Sequence, residues 1–451
     1  MLLSTYELGR QPFGLASPAA WLRGAGVTVT CLDLAVQSLD EEAVRSADLI
    51  GFYLPMHTAT RIAAPLVAKV RAMNPDTHIC AYGLYAPVNG DFLRGLGADT
   101  VIGGEFEEPL LELVERLRVG ATIPRGQGSL VSLSRQRFRV PDRSGLPALG
   151  SYAQLLLPDG ERRMVGYTEA TRGCKHLCRH CPIVPVYGGR FRVVQRDVVL
   201  ADIERQVAAG AQHVTFGDPD FFNGPAHAVA IVQDLHVAFP DLTYDVTIKV
   251  EHLLRHARHL PVLRDTGCVF VTTAVESFDP RVLEIFDKRH TMNDFVAVVR
   301  LFRELGLALN PTFVAFTPWT TVASYREFLA TIHDLGLVAN VAPIQYAIRL
   351  LIPAGSKLLE LSEVRALLDH FDDAALCYPW RHPDPAVDRL QRELLELVAG
   401  TVAGQRSRHA VFARIWERAA GYTAEQTIHR LELDHGRPRE LIPYLTEPWY
   451  C

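Results

Sequence analysis

Three cysteines constrain this chain more than any other feature. Cys174, Cys178 and Cys181 stand in the string GCKHLCRHCP, directly after the β-rich run YTEATRG at 167–173. The C-x3-C-x2-C spacing puts three thiols on one short loop at a strand end. Thiolates are the usual ligands of iron–sulfur clusters, and three of them hold three irons of a four-iron cluster. The fourth iron is then left open. A zinc site is the rival reading. Zinc asks for four ligands, and His176 or His180 would have to supply the last. Chance spacing with no metal is the third.

The remaining cysteines do not change this. Cys31, Cys80, Cys268, Cys377 and Cys451 are scattered through 451 residues. That pattern does not suit a disulfide scaffold. It suits a reducing cytosol with one metal site, so a cytoplasmic protein is expected. The net charge of −5 gives no basic field for a nucleic-acid partner. No apolar run reaches the ~18 residues that span a bilayer. The opening MLLSTYELGRQ lacks the parts of a secretory signal. Neither nucleic acid nor membrane is expected as a partner.

Hydrophobic patterning divides the chain. Short β-rich runs at 26–34, 47–55, 78–85 and 98–104 alternate with helical patterns such as 59–73. Strands separated by helices predict a parallel, doubly wound (Rossmann-like) sheet over 1–120. Such sheets bind ligands at the carboxyl ends of their strands. Residues 121–165 are rich in Gly, Pro and Ser and read as a linker. A second βα series follows over 166–360. Its strands are expected at 167–173, 213–218, 242–250, 268–277, 308–316 and 339–348, with helices at 197–209, 225–238 and 292–305. Six such units predict an open, partial (β/α)6 barrel. From 361 to 451 the pattern is helical, beginning with LSEVRALLDHF and including AEQTIHRLEL. The fold class is α/β throughout the first two regions.

The cysteine loop at the first strand of a βα series resembles the signature of the radical S-adenosylmethionine (SAM) superfamily. His180 stands where that family often has an aromatic residue. Further segments resemble the family in order. FGDPDFFN (216–223) closes the second barrel strand, and TAVESFDPRVLEIFDKRHT (273–291) is similar to a G-x-E-S segment with Ala274 for glycine. Pro318 in FVAFTPWTT and Ala354, Gly355 and Ser356 in LLIPAGSKLL fit two later turns. The resemblance implies a [4Fe–4S] cluster on the three cysteines and SAM on its open iron. It implies Asp218, Asp220, Glu276 and Ser277 as SAM contacts. Taken singly, each also reads as a helix cap.

The doubly wound domain resembles the cobalamin-binding domain found upstream of many radical SAM barrels. Three loops occupy the corresponding places. MHTATR (56–61) holds His57, Thr58 and Arg61, GLYAPVNG holds Gly83 and Tyr85, and GGEFEEP holds Gly103, Gly104 and Glu105. The glycines permit close backbone approach to a bulky ligand. The string D-x-H-x-x-G, whose histidine ligates cobalt from below, is absent. A nucleotide-binding or purely structural domain, and a capping His57, are the plainer alternatives.

Segments MHTATR, GRFR, WRHPDPAVD and the terminal EPWYC resemble the radical SAM family named for a CUAEP or CCAEP tail. That resemblance makes Cys451 a candidate catalytic thiol and predicts that the gene continues through a selenocysteine codon. An incidental terminal cysteine is the alternative. The resemblance as a whole implies a cobalamin-dependent methyltransferase acting on an unactivated carbon, or another poorly nucleophilic centre, of a small molecule, with an electron donor such as flavodoxin or ferredoxin. Cobalamin-dependent oxidation, rearrangement or cyclisation is the second reading, and a non-catalytic cluster- and cobalamin-binding sensor the third. A methylthiotransferase is disfavoured, because the other cysteines form no second triad. Tyr187, Trp319, Trp380 and Arg381 are candidates to line the substrate pocket.

Overall fold

The computed structural model describes residues 1–121, 123, 128–400, 407–422 and 442–447. The first sheet has six parallel strands: β1 (Leu2–Ser4), β2 (Cys31–Asp33), β3 (Leu49–Tyr53), β4 (His78–Tyr82), β5 (Thr100–Gly104) and β6 (Leu130–Ser132). Their order is β2-β1-β3-β4-β5-β6. Every residue of β3 is buried, as a strand covered on both faces requires. Val67 and Val70 of the helix His57–Met73 cover one face; Leu110 and Leu113 of Glu107–Arg118 cover the other.

Short β7 (Gln154–Leu156) pairs antiparallel with β8 (Arg162–Thr168), which opens the second sheet. The cysteine loop follows, bracketed by a small antiparallel ribbon of β9 (Thr171–Gly173) and β10 (Phe191–Val193). Then come β11 (His213–Phe216), β12 (Thr243–Thr247), β13 (Cys268–Glu276) and β14 (Ala308–Phe313). β8, β11, β12, β13 and β14 are parallel and adjacent in that order. The helices Arg196–Ala208, Pro225–Ala238 and Met292–Leu305 pack outside them, as the periodicity predicts. A final strand, β15 (Tyr444–Leu445), pairs with β7. The architecture is the expected one: a Rossmann-like sheet, a partial barrel, then a mainly helical C-terminal region.

Four expectations need correction in detail. The segment 26–34 gives only the three residues of β2, and β1, equally short, carries no readable alternation. The expected linker is not only a connector, since it supplies β6 to the first sheet and β7 to the second. The sixth barrel strand at 339–348 is replaced by a 3-10 turn, Pro343–Tyr346, and one parallel bridge between Phe316 and Arg349. Side chains explain this. Asn340 Nδ2 donates to the Leu309 carbonyl and Gln345 Oε1 accepts from the Phe313 N–H, so they occupy the β14 edge a sixth strand would use. Finally, 361–371 is helical only over Ser362–Arg365. Beyond it Asp369 N–H bonds the Pro379 carbonyl, and Leu358, Val364 and Trp380 pack on Val282, Ile285 and Phe286. True helices follow at Pro385–Ala399 and Arg408–Ala420, while AEQTIHRLEL lies outside the described residues.

Candidate active site

The cysteine loop is held from four directions. Gly173, with φ +73°, enters it where an added Cβ would meet the Tyr187 ring at 2.3 Å. Asn223 receives the Lys175 N–H at 3.2 Å and donates to the Gly173 carbonyl at 3.1 Å. Arg179 donates through its guanidinium to the Glu284 and Ile285 carbonyls, and its N–H bonds the Phe286 carbonyl. Ser356 Oγ donates to the Arg179 carbonyl at 3.3 Å, so the late P-A-G-S segment buttresses the loop.

The loop's chemistry differs from that of the core cysteines. Cys80 and Cys268 are buried in strands, with Sγ directed at backbone carbonyls. The Cys174, Cys178 and Cys181 thiols are unbridged and close enough for their charges to interact. Burial pushes Cys174 and Cys181 up to about 12. Against it, the N–H groups of His176 and Ile183 face the Cys174 and Cys181 sulfurs, and the Lys288 ammonium faces Cys178 and Cys181. N–H donors and a buried cation beside three thiols favour thiolates. This donor set fits a cluster with one open iron.

Glu276 ends β13 with φ +69° and is buried. Its Oε1 lies 3.2 Å from Lys288 Nζ and 3.1 Å from His180 Nε2. Burial opposes the charge, but Lys288 and then His180 outweigh it and lower the carboxyl to about 2. His180 in turn stacks on Phe286 at 4.3 Å, so it fills the aromatic position as a flat ring.

The other expected SAM contacts already have neighbours within the fold. Both oxygens of buried Asp218 are taken, one by the Ala170 N–H at 2.9 Å and one by the Thr171 hydroxyl at 2.6 Å. Burial raises this carboxyl to about 7. Ser277 Oγ accepts from the Asp279 N–H, and it is Asp279, not Glu276, that caps the next helix. Asp220 Oδ1 accepts from the Phe222 N–H, while Oδ2 approaches His252 and His176. His252 and Lys249 carry no motif around them, and Lys288 stands within the 273–291 segment without a spacing that marks it. Their tie to the loop is a contact across the fold, and spacing gave no signal for it.

The three N-terminal loops lie at the strand ends of the first sheet, but most of their residues are engaged by the protein itself. His57 Nε2 lies 2.7 Å from the Ala375 carbonyl, and its ring meets the buried Tyr85 edge-on. Thr58 is half-buried and Arg61 exposed. A Cβ on Gly83 would meet the Leu54 carbonyl at 2.9 Å, one on Gly103 the Pro87 ring at 2.5 Å, and one on Gly104 the Ser132 carbonyl at 2.1 Å. Backbone packing alone therefore accounts for glycine at these three positions. Glu105 accepts from Tyr187 OH at 3.1 Å and from Arg172 Nη1 at 3.3 Å. Arg172 also bonds Glu107 and Glu169 at 2.7 and 2.6 Å, tying the first sheet to the strand that leads into the cysteines. Trp380 is packing, since its Nε1 donates to the Leu350 carbonyl and Arg349 stacks on its ring; Arg381 is exposed and Trp319 half-buried. Cys451 lies outside the described residues.

Residues 168–332 match the Radical SAM superfamily. This stretch runs from the end of β8 through the helix Val322–Asp334 and contains the cysteine loop. Enzymes of that superfamily use a [4Fe–4S] cluster, SAM and a reductant. The chain is 24 % identical over 324 residues to the hopanoid C-3 methylase of Methylococcus capsulatus, covering 68 % of this chain and 62 % of that protein. It is 27 % identical over 210 residues to the ribosomal protein uS12 methylthiotransferase RimO of Syntrophotalea carbinolica, covering 42 % of this chain and 43 % of that one. The matches thus span less than two thirds of these curated relatives. Among solved structures, the cobalamin-dependent SAM radical enzyme OxsB, with aqua-cobalamin and SAM bound, superposes with a TM-score of 0.73 at 13 % identity, over 93 % of this chain and 71 % of that one. The radical SAM methyltransferase TsrM from Kitasatospora setae, with cobalamin and a [4Fe–4S] cluster bound, gives 0.59 at 19 %, over 74 % and 73 %. These likenesses establish the fold. Among the described residues no helix is long and apolar enough to cross a membrane.

Proposed function

We propose that this chain is a cobalamin-dependent radical SAM methyltransferase acting on an unactivated carbon of a small molecule. One observation carries the reading. The strand ends of the first sheet abut the cysteine loop, joined through Glu105 to Tyr187 and Arg172 on either side of the three cysteines. Two cofactor-binding edges therefore meet at one place. The first edge also holds buried polar atoms without a hydrogen-bond partner: Ser4 Oγ, Glu7 Oε2, Arg10 Nε and Asn89 Oδ1. These fit the amide-rich rim of a corrin. His57, Thr58, Arg61 and Tyr85 are proposed to lie beneath it. The fold shared with TsrM and OxsB and the relation to a hopanoid methylase support the same reading.

When bound, the cluster supplies the electron that cleaves SAM, and cobalamin supplies the methyl group. The chain's own residues do the rest. Cys174, Cys178 and Cys181 would hold the cluster through their thiolates. Lys288 neutralises charge beside Cys178 and Cys181, and Glu276 holds Lys288 and His180 in place. Asp218 fixes the strand end at Ala170 and Thr171, from which the loop departs. Packing of the two edges against each other would keep water from the radical chemistry. Flavodoxin or ferredoxin is the proposed electron donor. The CUAEP/CCAEP-tail relationship, with Cys451 as a participating thiol, is part of the proposal.

Product mass tests the reading. With reductant, SAM and substrate extracts, methyl transfer yields S-adenosylhomocysteine, 5′-deoxyadenosine and a product heavier by one methylene. Deoxyadenosine without methyl gain would replace methylation by cobalamin-dependent oxidation, rearrangement or cyclisation.

A further inference from the structure

Two ligand-type side chains that the cluster leaves unused, His176 and Asp220, stand beside Cys174. Cys174, His176 and Asp220 each place one ligand atom within 4.8 Å of the others. His176 and Asp220 are buried, and Cys174 is half-buried. We propose that the chain, when it lacks its iron–sulfur cluster, holds one zinc-type divalent ion on Cys174, His176 and Asp220. Because Cys174 serves both, ion and cluster exclude each other.

The chemistry of the set carries this. One thiolate, one imidazole and one carboxylate form a borderline-soft donor set, with water as fourth ligand, and zinc takes such sets tetrahedrally. Zinc bonds of roughly 2.0–2.3 Å set ligand atoms about 3–4 Å apart, so the present spacing closes by small side-chain movements. His176 Nε2 already lies 3.4 Å from Asp220 Oδ2. The neighbours supply the outer layer that metal-bound groups need. His252 Nδ1 lies 2.6 Å from the same Asp220 oxygen without the alignment of a hydrogen bond, so both buried atoms are left without one. His252 Nε2 lies 3.2 Å from His176 Nε2. On the far side of the ring, His176 Nδ1 faces Glu251 at 3.7 Å and Lys249 Nζ at 3.3 Å. Lys249 also reaches Glu251 at 3.5 Å. As the structure stands, the Lys249 ammonium donates to Nδ1; taking the ion on Nε2 moves the ring proton to Nδ1, where it turns to Glu251. Binding forms the metal–sulfur, metal–nitrogen and metal–oxygen bonds and releases the Cys174 proton to solvent, with no change of oxidation state.

Cobalt(II) serves as the probe. The full chain is prepared without iron, stripped with chelator and titrated. The proposal predicts one Co(II) per chain, with visible bands of a tetrahedral ion and a thiolate charge-transfer band. Cys178→Ala and Cys181→Ala retain the bands. Asp220→Asn and His176→Gln weaken binding by at least about 10-fold, and His252→Gln by about 10–100-fold. Asp220 also caps a turn, so His176→Gln provides the independent check; circular dichroism establishes that each variant is folded. Absent bands in the wild type, or their loss in Cys178→Ala, would overturn the site. Iron uptake by folded His176→Gln during anaerobic reconstitution tests the cluster separately, because its ligands are intact.

Discussion

Two strand-end edges meet in this molecule, and they use their distinctive residues in opposite ways. In the first sheet, Gly83, Gly103 and Gly104 sit against the Leu54 carbonyl, the Pro87 ring and the Ser132 carbonyl. His57 and Glu105 are bonded to Ala375, Arg172 and Tyr187. In the barrel, three thiols are unbridged, ringed by N–H groups and a buried lysine. The first edge is built largely from self-contacts. The second holds donors that the fold prepares and does not consume. A residue type matched to a motif shows its role only when its partners are known.

Substitutions break the comparison in order of size. Cys178→Ala should abolish cluster iron and deoxyadenosine formation while leaving the thermal midpoint close to wild type; retained iron would place the cluster elsewhere. Arg172→Met strands Glu105, Glu107 and Glu169 in the interior without their cation. Breaking a buried ion pair costs about 3–5 kcal/mol, and denaturant unfolding should report a loss of that order. Gly104→Ala forces a side chain into φ +74° against the Ser132 carbonyl. Strain of about 1–3 kcal/mol should appear as lower stability, with iron uptake unchanged.

A smaller effect sharpens the picture through pH. Burial raises Glu105 from 4.5 to about 7, despite the nearby Arg172. A carboxyl raised in the folded state favours folding at low pH and loses that contribution as pH climbs through its folded value. Its share of stability therefore falls between pH 4.5 and about 7. Glu105→Gln should flatten the midpoint-versus-pH curve in that window; an unchanged slope would assign the titration to another group. Smallest of all, Gly95→Ala meets nothing within 4 Å, so a shift within about 0.5 kcal/mol is expected.

Much of this was legible in the sequence. The cysteine spacing, the order of βα units and the positions of the long helices follow from local pattern. Strands of three residues, such as β1 and β6, are too short to show alternation. The 339–348 run has the composition of a strand, yet Asn340 and Gln345 use side chains where a strand uses backbone. Asp218 and Asp220 stand two residues apart and read alike, but one clamps Ala170 and Thr171 while the other faces two histidines. His252 and Lys288 join the site only through folding, across 76 residues from His176 and 12 from Glu276.

The central claim is that Cys174, Cys178 and Cys181 hold a cluster that cleaves SAM. Anaerobic reconstitution of the full chain, followed by reduction and addition of SAM, tests it most directly. The account predicts about four irons per chain, an electron paramagnetic resonance signal that changes on adding SAM, and 5′-deoxyadenosine, all lost in the triple alanine variant. A chain that takes up zinc but no iron, or one that binds iron and leaves SAM intact under reduction, would contradict it.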